Sequence, residues 1–90
     1  MITLIEKTSR RVDYFGVLLD IPRHLPYIAT NFNGEVWCYE VEPYYMNGEL
    51  EWDVDDADQL RLGTVNLNGL DWKKSMIVYG LPENVISTLN

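Results

Sequence analysis

The chain has 90 residues, a formal net charge of −7 and an apolar content of 47% that includes three Trp and six Tyr. A chain of this size is expected to form one domain, 1–90, and to bury only about 60–65% of the surface its unfolded form exposes, so its stability margin is thin; its aromatic content argues against disorder. The acidic balance opposes direct binding to nucleic acid, which recruits Lys and Arg, and equally opposes an anionic membrane surface; it suits a basic partner or plain solubility.

Met1-Ile2-Thr3-Leu4-Ile5 is followed at once by Glu6 and Lys7, which leaves no apolar stretch for a secretory signal. No run approaches the ~20 apolar residues of a membrane helix. Cys38 is the single cysteine and has no partner for an internal disulfide. The expected location is cytosolic.

Thr3-Leu4-Ile5 suits a short strand, and Lys7-Thr8-Ser9-Arg10-Arg11 a basic turn. Residues 13–21 are apolar and bounded by Pro22. Their length does not separate strand from helix, but Gly16 and the aromatic and β-branched content favour a strand. Pro22 and Pro26 bracket Arg23-His24-Leu25 as a rigid connection.

From Pro26 to Asp58 three extended segments, 26–31, 35–43 and 48–55, are separated by Asn33-Gly34 and Asn47-Gly48. Asn-Gly between alternating apolar residues predicts type I′ hairpins and hence a three-stranded meander. Leu60 to Leu67 continues as a strand with a bulge at Gly63, and Asn68-Gly69 makes a third turn. Asp71 is a suitable N-cap for a short helix through Met76, although 76–79 also suits a strand. Gly80 ends that element, and Pro82 followed by Glu83 opens a final helix, 82–88. The predicted fold is α+β: a single twisted antiparallel sheet of four to five strands, a β-meander, with one or two short helices near the C-terminus.

Alternation along the second and third meander strands gives them a shared parity. Trp37, Tyr39, Val41, Leu50, Trp52 and Val54 form an apolar face, and Glu40, Glu42, Glu49, Glu51 and Asp53 an acidic one. Two registers, Pro43 opposite Gly48 or a two-residue Asn47-Gly48 turn, both match acid with acid; a one-residue slip would mix the faces. Like charges directly opposite on a sheet are destabilising, so packing alone does not explain them. Asp55, Asp56 and Asp58 extend the run, and no Lys or Arg occurs between Arg23 and Arg61. The ordinary account is a solvated face; the functional one is a surface held for a basic partner, with Tyr44, Tyr45 and Met46 as anchors at its edge.

Motifs for chemistry are sparse. Asp53, Asp55 and Asp56 lack the spacing, central Gly and terminal Glu of a calcium loop. His24 and Cys38, each the only residue of its type, supply neither a zinc set nor the third group of a nucleophilic triad. There is no phosphate-binding Gly-rich loop and no nucleophile elbow. A carboxylate pair for glycoside hydrolysis would find little cleft in a chain this small. No catalytic residue, metal or cofactor is expected.

Tyr27-Ile28-Ala29-Thr30, Asn33-Gly34-Glu35-Val36-Trp37, Tyr39-Glu40, Pro43, Trp52 and Asp71-Trp72-Lys73-Lys74-Ser75 together resemble a recurrent type of small bacteriophage-encoded accessory protein. The resemblance covers roughly 26–77 and rests on aromatics, a turn and a proline, so it is a structural signature without a known activity attached. It implies origin: a phage protein acting in the host cytoplasm. With the acidic face, the expectation is a non-enzymatic inhibitor of a host nucleic-acid-handling defence enzyme, a nuclease or CRISPR effector with a basic surface. Neighbouring strands ~4.8 Å apart and i, i+2 side chains ~6.6 Å apart would bracket phosphate spacing. The alternatives are a binder or sponge for a nucleotide signal, sited near Arg10, Arg11, Lys73 and Lys74, and a self-associating structural module that forms a homodimer.

Overall fold

The computed structural model describes Ile2 and residues 8–80; the strand expected at Thr3-Leu4-Ile5 and the helix expected at 82–88 lie outside them. Among the described residues six strands follow in chain order: β1 (Ser9–Tyr14), β2 (Val17–Pro22), β3 (Tyr27–Thr30), β4 (Glu35–Tyr39), β5 (Gln59–Thr64) and β6 (Ile77–Val78). β1 and β2 form a two-stranded sheet, and the other strands a four-stranded one in the order β5-β4-β3-β6. All pairings are antiparallel.

The segment 13–21, expected as one strand, is folded in two. Phe15 and Gly16 have φ of 49° and 88°, the pair of left-handed residues that a type I′ turn requires, and Tyr14 faces Val17 across it. Asp13 Oδ1 accepts the Gly16 N–H at 2.7 Å. The left-handed Phe15 is the reason the turn escaped the sequence: aromatic residues rarely adopt that conformation.

The β3–β4 hairpin is where the sequence placed it, with a different loop. Gly34 N donates to Asn31 O and Asn31 N to Glu35 O, both at 2.9 Å, and of the loop residues Gly34 is left-handed (φ 92°) while Asn33 is not. This is a three-residue loop closed by a glycine bulge, where a two-residue type I′ turn was expected.

The larger correction concerns the neighbour of β4. Residues 48–55 do not lie beside it; β5 does, from Glu35 opposite Thr64 to Tyr39 opposite Gln59. The register slips between Val36 and Trp37, which face Gly63 and Arg61, so the irregularity expected at Gly63 falls at Leu62 and Gly63. Helix is scarce among the described residues: Asp71 caps a 3-10 turn at Trp72–Lys74 by accepting the Lys73 N–H, and residues 77–78 then return to the sheet as β6. The antiparallel sheet was legible; the α+β label fits only loosely.

The four-stranded sheet is covered on both faces. Ile28, Val36 and Cys38 point to one side and pack with Tyr14, Ile21 and Leu25 beneath the β1–β2 hairpin. Ala29 and Tyr39 point to the other, against Trp52, Val54 and Trp72. The apolar face expected from parity is therefore only partly right: Tyr39, Trp52 and Val54 are buried, whereas Val41 and Leu50 are exposed. Val36 and Cys38, which share the parity of Glu40 and Glu42 along the segment, are core.

Candidate functional site

Residues 40–58 leave β4 and fold across the second face of the sheet before entering β5. The segment is pinned at its middle by Tyr44 and Asp53, which exchange backbone hydrogen bonds of 2.9 and 2.8 Å. Between them Asn47-Gly48 closes a turn in which Glu49 N donates to Met46 O at 3.0 Å. The returning limb crosses the tip of the β3–β4 hairpin: Phe32 N donates to Leu50 O at 3.0 Å, and Asn31 Oδ1 accepts the Trp52 N–H at 2.8 Å.

Trp52 is the plug that fixes this loop. Its indole N–H is shared between Thr30 O (3.1 Å) and Trp72 O (3.3 Å), so a buried donor is satisfied twice over. Tyr45 stands edge-on to both tryptophans, with ring centroids 4.9 and 5.3 Å away. Period-two alternation then throws Glu51, Asp53 and Asp55 outward while Trp52 and Val54 point in.

Five of the predicted residues converge: Tyr44, Met46, Glu49, Glu51 and Asp53 line one open concavity of about 260 Å³. Asp55 joins them through Tyr44, whose hydroxyl donates to Asp55 Oδ1 at 2.8 Å; that bond, with help from the neighbouring carboxylate charge, raises the Tyr44 pKa. Tyr45 belongs to the tryptophan cluster beneath. Glu42 and Asp56 are exposed and do not line the concavity.

Glu40 is committed elsewhere. Its carboxylate accepts the Asp58 N–H at 3.2 Å and its own N–H donates to Asp58 O at 3.0 Å. Asp58 in turn bonds His24 Nε2 at 2.7 Å, and that contact holds its carboxyl below the usual range. The facing pairs of either register, Glu40 with Glu51 and Glu42 with Glu49, or Glu42 with Asp53, are therefore absent, because their segments are not adjacent strands.

The ion pairs Arg11–Asp20 (3.1 Å) and Arg61–Glu35 (3.6 Å) occupy acids of the strands, not those of the loop. Among the described residues no three His, Cys, Asp or Glu side chains are grouped to hold a metal ion. Cys38 is buried, with its thiol directed at Leu60 O (3.6 Å), while His24 faces Asp58.

No known family model, curated protein or solved structure matches this chain. The site therefore rests on its own geometry.

Sequence reasoning missed Asn31, Phe32 and Leu50. Asn31 is buried, and Phe32 and Leu50 are 58% and 57% exposed beside the acidic limb. Phe32 stood in the sequence as a turn neighbour and Leu50 as a core residue. Only the crossing of the loop over the hairpin tip, a contact remote in sequence, sets the two side by side.

Proposed function

We propose that this chain is a non-enzymatic, phage-encoded inhibitor that acts in the host cytoplasm by binding a basic surface of a nucleic-acid-handling defence enzyme, of nuclease or CRISPR-effector type. The observation that carries this reading is the concavity in which Glu49, Glu51 and Asp53 surround Tyr44 and Met46. Carboxylates with an aromatic ring and a thioether suit Arg and Lys: the charges meet the head group, and the ring and methionine meet its face and stem. The chain's overall charge of −7 would steer a cationic partner toward it and make association salt-sensitive. Mimicry of phosphate spacing by two adjacent strands has no support in this loop; recognition of basic side chains does.

The nucleotide-binding alternative has weaker support. Arg10 and Arg11 are successive residues of β1 and so project to opposite sides; Arg10 is half-buried with a guanidinium N–H on Tyr79 O, and Arg11 is bonded to Asp20.

The test is the triple variant Glu49→Lys, Glu51→Lys, Asp53→Lys in a bacterial host challenged with restriction-sensitive or CRISPR-targeted phage. The positions are exposed, so unchanged far-UV circular dichroism is expected together with loss of phage protection. Protection by the triple variant equal to that of the parent chain would overturn the reading.

A further inference from the structure

The acidic concavity is one end of a longer feature. It shares Glu49 and Glu51 with a second concavity of about 380 Å³ formed with Phe32 and Leu50. That one shares Phe32 and Asn33 with a third, which reaches Val65 and Asn66. The third shares Val65, Asn66 and Leu67 with a fourth, of about 270 Å³, which ends between Phe15, Val17 and Leu70 at the tip of the β1–β2 hairpin. Consecutive concavities share these lining residues, which sets the four in series from the 44–53 loop past the β3–β4 turn to the hairpin tip, and we read the series as one groove.

The chemistry changes along it. One end is carboxylate and aromatic; the other is apolar, with Phe15 and Val17 52% and 42% exposed. Between them lie Asn33 and Asn66. Their side-chain oxygens are spent on the N–H groups of Glu35 (3.0 Å) and Asn68 (2.9 Å), which leaves the amide nitrogens as donors toward a carbonyl.

We infer that this groove holds an extended polypeptide segment of the partner protein, with Arg or Lys residues over Glu49, Glu51 and Asp53 and apolar side chains over Phe15, Val17 and Leu70. A folded basic surface would engage the acidic end alone; an extended strand is the shape that reaches both ends. About ten extended residues span roughly 33 Å. Charge complementarity fixes one end of the segment, apolar burial the other, and the asparagine amides meet its backbone. The inference rests on the proposed function for its acidic end only.

The test is selection of a random peptide library of about a dozen residues, roughly 40 Å when extended, against the full chain, followed by fluorescence anisotropy with the enriched peptides. Enriched sequences are expected to carry Arg or Lys in one half and apolar residues in the other. Glu51→Lys at one end and Val17→Gln at the other should each weaken binding about tenfold, as removal of an interface anchor does, with thermal midpoints confirming that both variants are folded. Peptides weakened by Glu51→Lys but indifferent to Val17→Gln would overturn the groove while leaving the acidic surface in place. No enrichment, or sensitivity to Val17→Gln alone, would also overturn it; the phage-challenge experiment decides the acidic surface independently.

Discussion

Asn31 Oδ1 accepts the backbone N–H of Trp52 at 2.8 Å, and this side-chain bond stands where a strand ladder was expected. A buried amide oxygen at the end of β3 captures the limb that carries Trp52, and the limb crosses the hairpin tip without running along β4. Replacing Asn31 by Ala leaves a buried N–H without its acceptor, which costs about 1–3 kcal/mol. Urea unfolding should show that loss, and native-state hydrogen exchange should show the Trp52 amide among those most accelerated. An unaltered Trp52 exchange rate would mean that the loop is held by other contacts.

Gly34 and Gly48 separate two costs that usually come together. Both are left-handed, with φ of 92° and 87°, so a side chain at either carries the strain of that conformation, roughly 1–2 kcal/mol. A Cβ at Gly34 would also stand 2.3 Å from Val65 O, whereas one at Gly48 meets nothing within 4 Å. Gly34→Ala must break the contact between the β3–β4 turn and the segment that follows β5, where Val65 N donates to Gly34 O at 2.9 Å. Gly48→Ala is expected to lower stability by the strain alone, and Gly34→Ala by clearly more. Equal denaturant midpoints for the two variants would contradict the close approach.

The closing Asp-Trp-Lys-Lys-Ser of the resemblance has a physical account in one buried serine. Ser75 Oγ accepts the Thr30 N–H at 2.9 Å and lies 2.7 Å from Trp72 O, to which it donates. Tyr14 donates its hydroxyl to Ser75 O at 2.8 Å. Its proton is thereby used, so Thr30 Oγ1, 2.7 Å away, must be the donor in their pair. This network ties the hairpin, the sheet and the 3-10 turn together. Ser75→Ala strands the Thr30 N–H and should cost about 1–3 kcal/mol. Tyr14→Phe takes from the Thr30 hydroxyl and from Ser75 O the partner each has in this network and should cost a comparable amount. A double-mutant cycle should show coupling of about 0.5 kcal/mol or more, and strict additivity would argue against a shared network.

What the sequence made legible was local. The β3–β4 hairpin, the strand near 60–64, the Asp71 cap and the alternation through 51–55 all follow from neighbouring residues. What it concealed was partnership at a distance. Leu60 and Leu62 compete with Leu50 and Trp52 for the open edge of β4 on nearly equal terms of pattern. The outcome turns on Trp52, whose indole N–H finds buried carbonyls at Thr30 and Trp72 only when its segment leaves the sheet. The same event dismantled the predicted ladder of facing carboxylates and assembled a concavity in its place. Five of the ten residues expected at the site gathered there, while Glu40 turned to Asp58 because β5 begins beside it. Phe15-Gly16 went unrecognised for a simpler reason, since its left-handed aromatic runs against the preference that makes Asn-Gly turns visible.

The buried acids of the core predict the alkaline limit of the fold. Burial pushes the Cys38 thiol up to about 11, with the Asp58 charge adding to it. Burial likewise raises the hydroxyls of Tyr14 and Tyr39, and pushes Tyr79 up to about 12. Each group is neutral when protonated, and the fold favours that form. An unfolded cysteine ionises near pH 8.5, so the stabilising preference is complete below about that pH and is lost as pH rises through the folded values. Stability should therefore hold up to about pH 8.5 and fall steadily above it, with the tyrosines extending the decline. Cys38→Ala should flatten the early part of that decline, at the separate cost of a small cavity. At pH 8 the native thiol should resist a disulfide reagent, and its labelling rate should follow the urea dependence of unfolding. Rapid labelling in the absence of urea would place Cys38 at a surface and remove the early part of the alkaline decline from this account.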